Sequence, residues 1–323
     1  GVGIYHNGSN SGLQLTATGS TITAAATGAT NGIYVSGSTS TMSAAGAQQV
    51  TLTNCTVSGG TAVEVKYTDL TLTDCTVTAT AETPSYTQDD NGAATTGFAV
   101  VSTDNTTGAA TPAPKGTITI QGADGSYKGQ VGLASLETVK TEYADFKDTT
   151  YAVSGGSFIG AVTISDTVTV TGGTFTGDVT INHGGKLVAS AGTFGNVNVK
   201  SGGGGALTGG HFGKITQLDG STCAALLAEG YAYSDGGIIN GYVPIVGGVD
   251  VVPHAQHQYV WLNQKLLCGC GHVADEDADA PVITGITDGE TYYGDVTFTV
   301  TDAHDFTVTV DGQPATAEDG LYT

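Results

Sequence analysis

Positive charge is scarce in this sequence, which contains no arginine and nine lysines against 30 acidic residues. The formal net charge is −21 at pH 7. Binding to nucleic acid requires a basic surface that displaces counterions from the phosphates, so this charge excludes nucleic acid as a partner. Acidic patches of this kind either bind Ca²⁺ or keep an extracellular surface soluble.

Long apolar segments are absent as well. The sequence has no run of about 18 apolar residues, so no direct membrane insertion is expected within this segment. It also begins without a signal peptide, and it opens and closes in mid-pattern. These features indicate an excerpt of a larger protein that is secreted or displayed on a bacterial cell surface.

Proline is limited to seven residues, whereas glycine accounts for 50 of 323. The glycines do not recur at every third position, which excludes a collagen-like chain. A hydrophobic content of 39% is too high for a disordered chain. Together with the many Thr, Val and Ile residues, the glycines predict an all-β protein with many turns.

A glycine-aromatic phrase recurs in the second half of the chain at intervals of roughly 18 residues, close to the range of known solenoid repeats. Its four copies, GGSF, GGTF, AGTF and GGHF, end at Phe158, Phe175, Phe194 and Phe212. Each is followed by a short segment in which apolar and polar residues alternate. A looser pattern occupies the first half as GIYH (3–6), GIYV (32–35), AVEV (62–65) and GFAV (97–100).

Repeats of this length, built from strands without helical periodicity, predict a parallel β-solenoid over residues 1–245. Each coil lies on the previous one, and alternate side chains point inward. The four phenylalanines are expected to form one interior ladder. The expected members of a second interior ladder are Ile4, Ile33, Val63 and Phe98, beside an outward-facing column of Tyr5, Tyr34, Glu64 and Ala99.

One segment has a convincing helical pattern, STCAALLAEGYAY (221–233), with Ser221 or Thr222 as its N-cap and Gly230 as its end. It directly follows the last phenylalanine repeat. An open sheet edge pairs readily with other chains, so this segment is predicted to be a short helical cap that protects the C-terminal coil.

The repeat pattern then gives way to two different stretches. Residues 246–279 form a junction with the only Trp, three histidines and two cysteines, and lead into the acidic linker ADEDADAP. Residues 280–323 contain the alternating stretches VTFTVTD and FTVTVDG, with turns at Asp288-Gly289 and Asp311-Gly312. An immunoglobulin-like sandwich takes about 100 residues, so the chain is expected to stop inside this domain.

The GGTFTGDVTI repeats, the LLAEGYAYSD segment, the Cys/His junction and the VITGITDGETYYGDVTFTVTD module resemble parts of large cell-surface proteins of gut Firmicutes. The resemblance covers most of the chain. It implies a right-handed parallel β-helix followed by bacterial immunoglobulin-like modules, and it implies an adhesin. The motifs are specific for architecture and weak for function, because fold alone does not fix function.

The residues with the most distinctive chemistry lie in the junction, where His254 and His257 precede Cys268, Cys270 and His272. Thiolate and imidazole are the ligands that Zn²⁺ prefers, and four of them close a tetrahedral structural site. The alternative is that these are ordinary loop residues. No cofactor is expected to be required, and the candidate metals are a structural zinc at the junction and Ca²⁺.

Cys55 and Cys75 occupy equivalent positions in the neighbouring repeats TLTNCTV and TLTDCTV. Their Cα atoms are expected to lie about 4.8 Å apart, within the range that a disulfide bridges. The alternative is a pair of buried thiols that pack as small hydrophobic side chains. An anaerobic habitat favours the thiols.

Exposed tyrosines and an inserted loop are the candidate ligand-binding features. Tyr5 and Tyr34 are expected to stack on an outer face, where aromatic rings bind a sugar or a protein partner. The loop offers Tyr86, Asp89 and Asp90. Loops on a rigid scaffold often carry recognition, but the alternatives are tyrosines that only protect the sheet and loops that merely tolerate insertion.

The favoured function is non-catalytic: an extracellular adhesin or stalk that presents loops on a rigid solenoid to a host or bacterial surface glycan or protein. A carbohydrate-active β-helix, as polysaccharide-binding module, lyase or hydrolase, is the first alternative. Against an enzyme, the sequence has no arginine to serve as a lyase base, no carboxylates placed across a bond and no Gly-x-Ser-x-Gly elbow. A purely mechanical spacer is the second alternative.

Overall fold

A computed structural model describes most of the chain. The described residues are 1–7, 12–25, 30–37, 48–66, 68–86, 95–103, 116–133, 151–218, 221–234, 247–257, 259–262, 265–276, 281–302 and 306–322. The chain divides into two compact units. The first is Gly1–His257 with Gly269–Gly271, and the second is Gln258–Cys268 with His272–Thr323.

The described part of the first unit consists of 25 strands and one turn of 3₁₀ helix, Cys223–Leu226. In chain order the strands are β1 (Val2–Asn7), β2 (Gln14–Thr18), β3 (Thr21–Thr23), β4 (Asn31–Ser36), β5 (Gln48–Thr53), β6 (Thr56–Gly59), β7 (Thr61–Lys66), β8 (Thr68–Thr73), β9 (Thr76–Ala79), β10 (Ser85–Tyr86), β11 (Thr95–Thr96), β12 (Phe98–Thr103), β13 (Ile118–Gln121), β14 (Ser126–Lys128), β15 (Gln130–Leu133), β16 (Tyr151–Phe158), β17 (Val162–Ile164), β18 (Thr167–Phe175), β19 (Val179–Ile181), β20 (Lys186–Ala189), β21 (Thr193–Val199), β22 (Gly204–Leu207), β23 (His211–Gln217), β24 (Tyr231–Tyr233) and β25 (Val249–Pro253).

All of these strands except β10, β11, β24 and β25 wind into coils with three faces, and each face is a parallel ladder. The first face runs from β1 through β4, β7, β12, β15, β17 and β19 to the second halves of β21 and β23. The second face contains β2, β5, β8, β13, the first halves of β16 and β18, β20 and β22. The third face contains β3, β6, β9, β14, the ends of β16 and β18, and the starts of β21 and β23. This arrangement confirms the predicted all-β class with a long parallel sheet, as in a β-solenoid.

The corner between the second and third faces takes a residue with positive φ in coil after coil. The cysteine repeats place Asn54 (φ 51°) and Asp74 (φ 49°) there. The phenylalanine repeats place glycines there, namely Gly156, Gly173, Gly192 and Gly210. Asn and Asp tolerate this left-handed region better than other side chains, and glycine has no Cβ to oppose it. The glycine-aromatic phrase is therefore the sequence signature of a corner.

The predicted phenylalanine ladder is confirmed on the third face. Phe158, Phe175, Phe194 and Phe212 are buried and paired coil to coil. Their neighbouring rings stack with centroids 4.5, 4.7 and 4.7 Å apart and are nearly parallel. Because parallel strands lie about 4.8 Å apart, the backbone spacing itself imposes this stack. Tyr127, which the repeat alignment missed, pairs with Phe158 and adds a further ring at 4.9 Å.

The second predicted ladder is confirmed for three coils and shifts at the fourth. Ile4 pairs with Ile33 and Ile33 with Val63, but Val63 pairs with Val100 rather than with Phe98. The aligned position was therefore wrong by two residues. A two-residue shift leaves the same side of the strand facing inward, so the hydrophobic pattern alone does not distinguish the two registers. Phe98 is buried in the shifted register as well.

One short helical turn and then a pair of antiparallel strands follow the last coil. The predicted helical cap over residues 221–233 is a single 3₁₀ turn, Cys223–Leu226, and its N-cap residue Thr222 makes no side-chain cap hydrogen bond. Strand β24 then pairs with β25, and β25 pairs with the start of β23. Within the predicted segment only this turn is helical, and Tyr231–Tyr233 is a strand because pairing with β25 outweighs a weak local helix propensity.

The described part of the second unit is antiparallel. Its strands are β26 (Tyr259–Leu262), β27 (Lys265–Cys268), β28 (Val273–Glu276), β29 (Val282–Thr284), β30 (Thr299–Thr301), β31 (Val308–Val310) and β32 (Gln313–Ala315). The first three form one sheet, and the others form two hairpins. The predicted turn at Asp311-Gly312 joins β31 to β32, with positive φ at both residues. An immunoglobulin-like module stays a prediction.

We expect Phe175→Ala to lower the free energy of unfolding by about 3–5 kcal/mol, because it opens a cavity between two stacked rings in a buried ladder. Ile159→Ala is the matched control, since Ile159 is 51% exposed and lies close to the same coil. That change is expected to cost less than about 0.5 kcal/mol. Denaturant unfolding measures both variants, and equal effects would contradict a continuous aromatic core.

We expect Tyr127→Phe to stabilise the protein. The Tyr127 hydroxyl is buried and has no hydrogen-bond partner among the described residues, and burial raises its pKa. Removing an unsatisfied buried polar group is expected to return about 1–3 kcal/mol, while the ring stays in the stack. Tyr5→Phe, at an exposed ring, is the control with no expected change. A loss of stability in Tyr127→Phe, measured by thermal unfolding, would show that the hydroxyl makes a bond that matters.

Candidate metal centre and buried polar cluster

Four of the five predicted metal ligands in the junction are brought together. His254 follows directly after β25, and His257 lies three residues later. Cys268 is the last residue of β27, and Cys270 follows in the turn before β28. Strand ends and a tight turn therefore hold the four side chains, as the spacing of the sequence motif suggested.

The ligand atoms of these four residues lie close enough to share one ion. One atom from each of His254, His257, Cys268 and Cys270 lies within 4.8 Å of every other. The Nε2 atom of His254 is 3.2 Å from Nδ1 of His257, and Sγ of Cys270 is 3.4 Å from the same Nδ1 atom. Cys268 is 1% exposed, whereas the other three side chains are partly open to solvent.

His272, the fifth predicted ligand, is placed differently. Its Nδ1 atom lies 3.0 Å from the Tyr259 hydroxyl, and its backbone carbonyl accepts a hydrogen bond from the Cys268 N–H at 2.9 Å. This backbone bond closes the turn that carries Cys270. Gly271, with φ 96°, has the conformation that glycine allows at that point. His272 therefore shapes the turn and stands outside the four-residue cluster.

A second polar cluster, which the sequence analysis did not identify, lies on the first face of the coils. The Glu64 side chain is 0% exposed. Its Oε2 atom accepts hydrogen bonds from Asn31 Nδ2 at 2.9 Å and Thr95 Oγ1 at 2.7 Å. Its Oε1 atom accepts from Thr103 Oγ1 at 2.9 Å. The carboxyl group thus gathers donors from three separate segments of the chain.

The burial of Glu64 follows from its position on a strand that is covered on both sides. Every residue of β4, β7 and β12 is buried. Lys66, two residues further along β7, is also buried, and its Nζ atom lies 5.5 Å from the centre of the Tyr34 ring. Thr95 belongs to β11, which pairs with β10 in the segment inserted between β9 and β12. The signal that could have revealed this site is the pair of charges in AVEVK, at alternate positions of an otherwise apolar strand.

Burial raises the pKa of the Glu64 carboxyl, and the hydrogen bonds from its three donors and the charge of Lys66 oppose that shift without reversing it. The folded state therefore holds a proton at Glu64 more tightly than the unfolded state does. By linkage, protonation of Glu64 contributes to the free energy of unfolding at low pH. This contribution is lost as the pH rises through the folded-state pKa of the carboxyl group. The cluster is thus a structural element with a pH dependence of known sign.

We expect Glu64→Ala to lower the free energy of unfolding by about 3–5 kcal/mol, because three donors lose their acceptor and the buried charge of Lys66 loses a nearby carboxyl group. Glu64→Gln should lower the free energy of unfolding by less than Glu64→Ala does. It should also abolish the pH dependence of stability that this carboxyl group contributes. Glu82→Gln is the control, since Glu82 is exposed. Thermal unfolding from neutral to mildly acidic pH measures all three, and a Glu64→Gln curve parallel to the parent would contradict the raised pKa.

The outward tyrosine column that was expected to bind ligand is exposed only at its first member. Tyr5 pairs with Tyr34, and their rings stack with centroids 5.6 Å apart. Tyr5 is 53% exposed but Tyr34 only 1%, so the prediction of an exposed pair was wrong for Tyr34. The column continues to Glu64 and then to Val101 rather than Ala99, because of the register shift described above. The residues of β4, β7 and β12 are all buried, so a ligand cannot stack along this column beyond Tyr5.

The other predicted ligand residues lie at the inserted segment. Tyr86 is in β10, the first strand of a short hairpin. Asp89 and Asp90 lie outside the described residues, so their role stays a prediction.

Cys55 and Cys75 occupy equivalent corners of neighbouring coils, as predicted, and both are buried thiols. Each thiol donates to a backbone carbonyl two residues earlier, Cys55 to Thr53 and Cys75 to Thr73, at 3.4 Å. Burial raises the pKa of the Cys75 thiol. The structure therefore has the packed thiols that were favoured over a disulfide.

Comparisons with known proteins yield no relative. No protein-family model matches the chain, and no match is found among curated proteins or solved structures. Within the described residues, no helix is long and apolar enough to cross a membrane. Function therefore has to be argued from the residues themselves.

Proposed function

We propose that this chain is a non-catalytic segment of an extracellular surface protein, in which the stacked coils serve as a stalk. The observation that carries this proposal is the regular coil-to-coil register. From β17 to β23 each coil repeats the same buried apolar positions. Between them the strands carry short polar residues such as Thr163, Thr180 and Asn198. A structure that adds length by repeating one unit fits a mechanical role.

The finer assignment rests on the resemblance to cell-surface proteins of gut Firmicutes. It makes the coil stack a right-handed parallel β-helix and residues 280–323 the start of a bacterial immunoglobulin-like domain. Right-handed crossovers are the strong general preference for parallel strands. The acidic composition, with a net charge of −21, suits a surface that faces solvent outside the cell.

An adhesin is the second candidate, and the exposure of Tyr5 favours it. An aromatic ring that is stacked on another ring from below and open to solvent above can receive a sugar face or an apolar group of a protein. The partner would be a host or bacterial surface glycan or protein. In this proposal the stalk presents the ligand site rather than acting only as a spacer.

A carbohydrate-active enzyme has less support. The carboxyl group of Glu64 and the ammonium group of Lys66 are the kind of pair that could assist hydrolysis, but both side chains are buried from solvent. A general acid or base must come within hydrogen-bond reach of its substrate. Glu64 instead accepts hydrogen bonds from three protein donors, which suits a structural role.

Binding and turnover assays separate these functions. Immobilised protein is exposed to intestinal mucus, serum and plant polysaccharides, retained material is identified by mass spectrometry, and the polysaccharides are checked for shortening. A stalk predicts neither retention nor shortening, and an adhesin predicts a retained glycan or protein that is lost in Tyr5→Ala and kept in Ile159→Ala. Shortening of any polysaccharide would overturn the non-catalytic proposal.

A further inference from the structure

We propose that His254, His257, Cys268 and Cys270 form a tetrahedral structural zinc site. The proposal concerns these four side chains alone and goes beyond the stalk function, on which it does not depend. Two imidazoles and two thiols are a donor set that Zn²⁺ takes up in proteins, whereas Ca²⁺ and Mg²⁺ prefer oxygen ligands. The carboxylates of the acidic linker are not needed for it.

The measured separations match the edges of a zinc tetrahedron. With Zn–N bonds of about 2.0–2.1 Å and Zn–S bonds of about 2.3 Å, two nitrogen ligands lie about 3.3 Å apart and a nitrogen and a sulfur about 3.6 Å apart. The observed distances are 3.2 Å between the two histidine nitrogens and 3.4 Å between Cys270 Sγ and His257 Nδ1. The ligand atoms of every other pair in the cluster lie within 4.8 Å of each other. Side-chain movements of about 1 Å would therefore complete the tetrahedral coordination of the ion.

Charge balance favours the same ion. Two thiolates and two neutral imidazoles around Zn²⁺ give a site with no net charge. Such a site can include the buried Cys268 without placing an uncompensated charge away from water. Binding would release the thiol protons, so affinity should rise with pH.

A structural rather than catalytic role follows from the number of ligands. Catalytic zinc sites keep a coordination position for water or substrate, whereas four protein ligands fill the tetrahedron. The site would hold its four side chains in one fixed arrangement. The immediate consequence of metal binding is therefore a gain in stability.

Metal binding by the purified, untagged full chain tests the proposal. The protein is reduced with a phosphine under anaerobic conditions, and Zn²⁺ is titrated in competition with a chromophoric chelator. Co²⁺ replaces Zn²⁺ in a parallel titration, because tetrahedral thiolate-bound Co²⁺ has strong visible bands and a thiolate-to-cobalt charge-transfer band. We expect one metal ion per chain, a tetrahedral Co²⁺ spectrum and a rise in the unfolding temperature on adding Zn²⁺.

Variants locate the site. Cys270→Ser and His257→Ala each remove one ligand. Loss of a residue that only supports a ligand already lowers metal affinity by about 10–100-fold, so these two should lower it at least as much. His272→Asn is the matched control, since His272 lies in the same turn but outside the cluster, and it should bind like the parent chain.

Three results would overturn the proposal. One is the absence of stoichiometric binding by the reduced chain, which would leave the short contacts as hydrogen bonds. The second is an octahedral Co²⁺ spectrum without the charge-transfer band. The third is a loss of metal affinity in His272→Asn that is as large as the loss in Cys270→Ser. Each of these readouts is independent of ligand capture or polysaccharide turnover, so failure of the zinc site and failure of the stalk function are distinguishable.

Discussion

The spacing between parallel strands is the constraint on which the first unit depends. Backbone hydrogen bonds hold the strands of neighbouring coils about 4.8 Å apart. Each side chain therefore lies directly over its equivalent in the previous coil. At this distance flat aromatic rings stack face to face, as Phe175 and Phe194 do at 4.7 Å. Like residues therefore follow like residues, and the corner that connects the faces has to repeat its backbone conformation too.

The same constraint explains why a polar cluster can sit in the first coils. Once a strand is covered on its outer side, a polar residue has to find partners in the neighbouring coils or in an inserted segment. Glu64 does both, because Asn31 lies one coil away and Thr95 belongs to the insertion. The cluster ties the insertion to the coil stack through one carboxyl group. A carboxyl group at a buried position is tolerated here because both of its oxygens accept hydrogen bonds from the protein.

Local patterns in the sequence carry much of the fold. The glycine-aromatic phrase identified the corners and the ladder from Phe158 to Phe212, since a repeated sequence in a repeated geometry leaves little freedom. The register at Phe98 could not be obtained this way, because a shift of two residues preserves the inward pattern. The end of the predicted helical cap differs for another reason: Tyr231–Tyr233 is a strand that forms by pairing with β25, about 20 residues later in the sequence.

In the candidate sites too, short sequence motifs could be recognised, whereas contacts between residues far apart in the sequence could not. The four clustered side chains of the junction, His254, His257, Cys268 and Cys270, were recognisable because their residue types are chemically distinctive and lie close together in the sequence. The network of Glu64 depends on Thr95 in the inserted segment, and no local sequence pattern reports that contact or the burial of Tyr34. The exclusion of His272 from the cluster is a matter of which way one side chain points.

Removal of one coil in register tests the central claim most directly. Val168 pairs with Leu187, which occupies the equivalent position in the next coil. Deleting residues 168–186 joins Thr167 directly to Leu187. We expect this variant to keep a single cooperative unfolding transition close to that of the parent chain, because every face retains its pairing. Deleting residues 168–187 shifts the register by one, turns the inward side of that strand outward and should abolish cooperative unfolding. Equal damage by both deletions, or equal tolerance of both, would contradict a fold held together by in-register stacking.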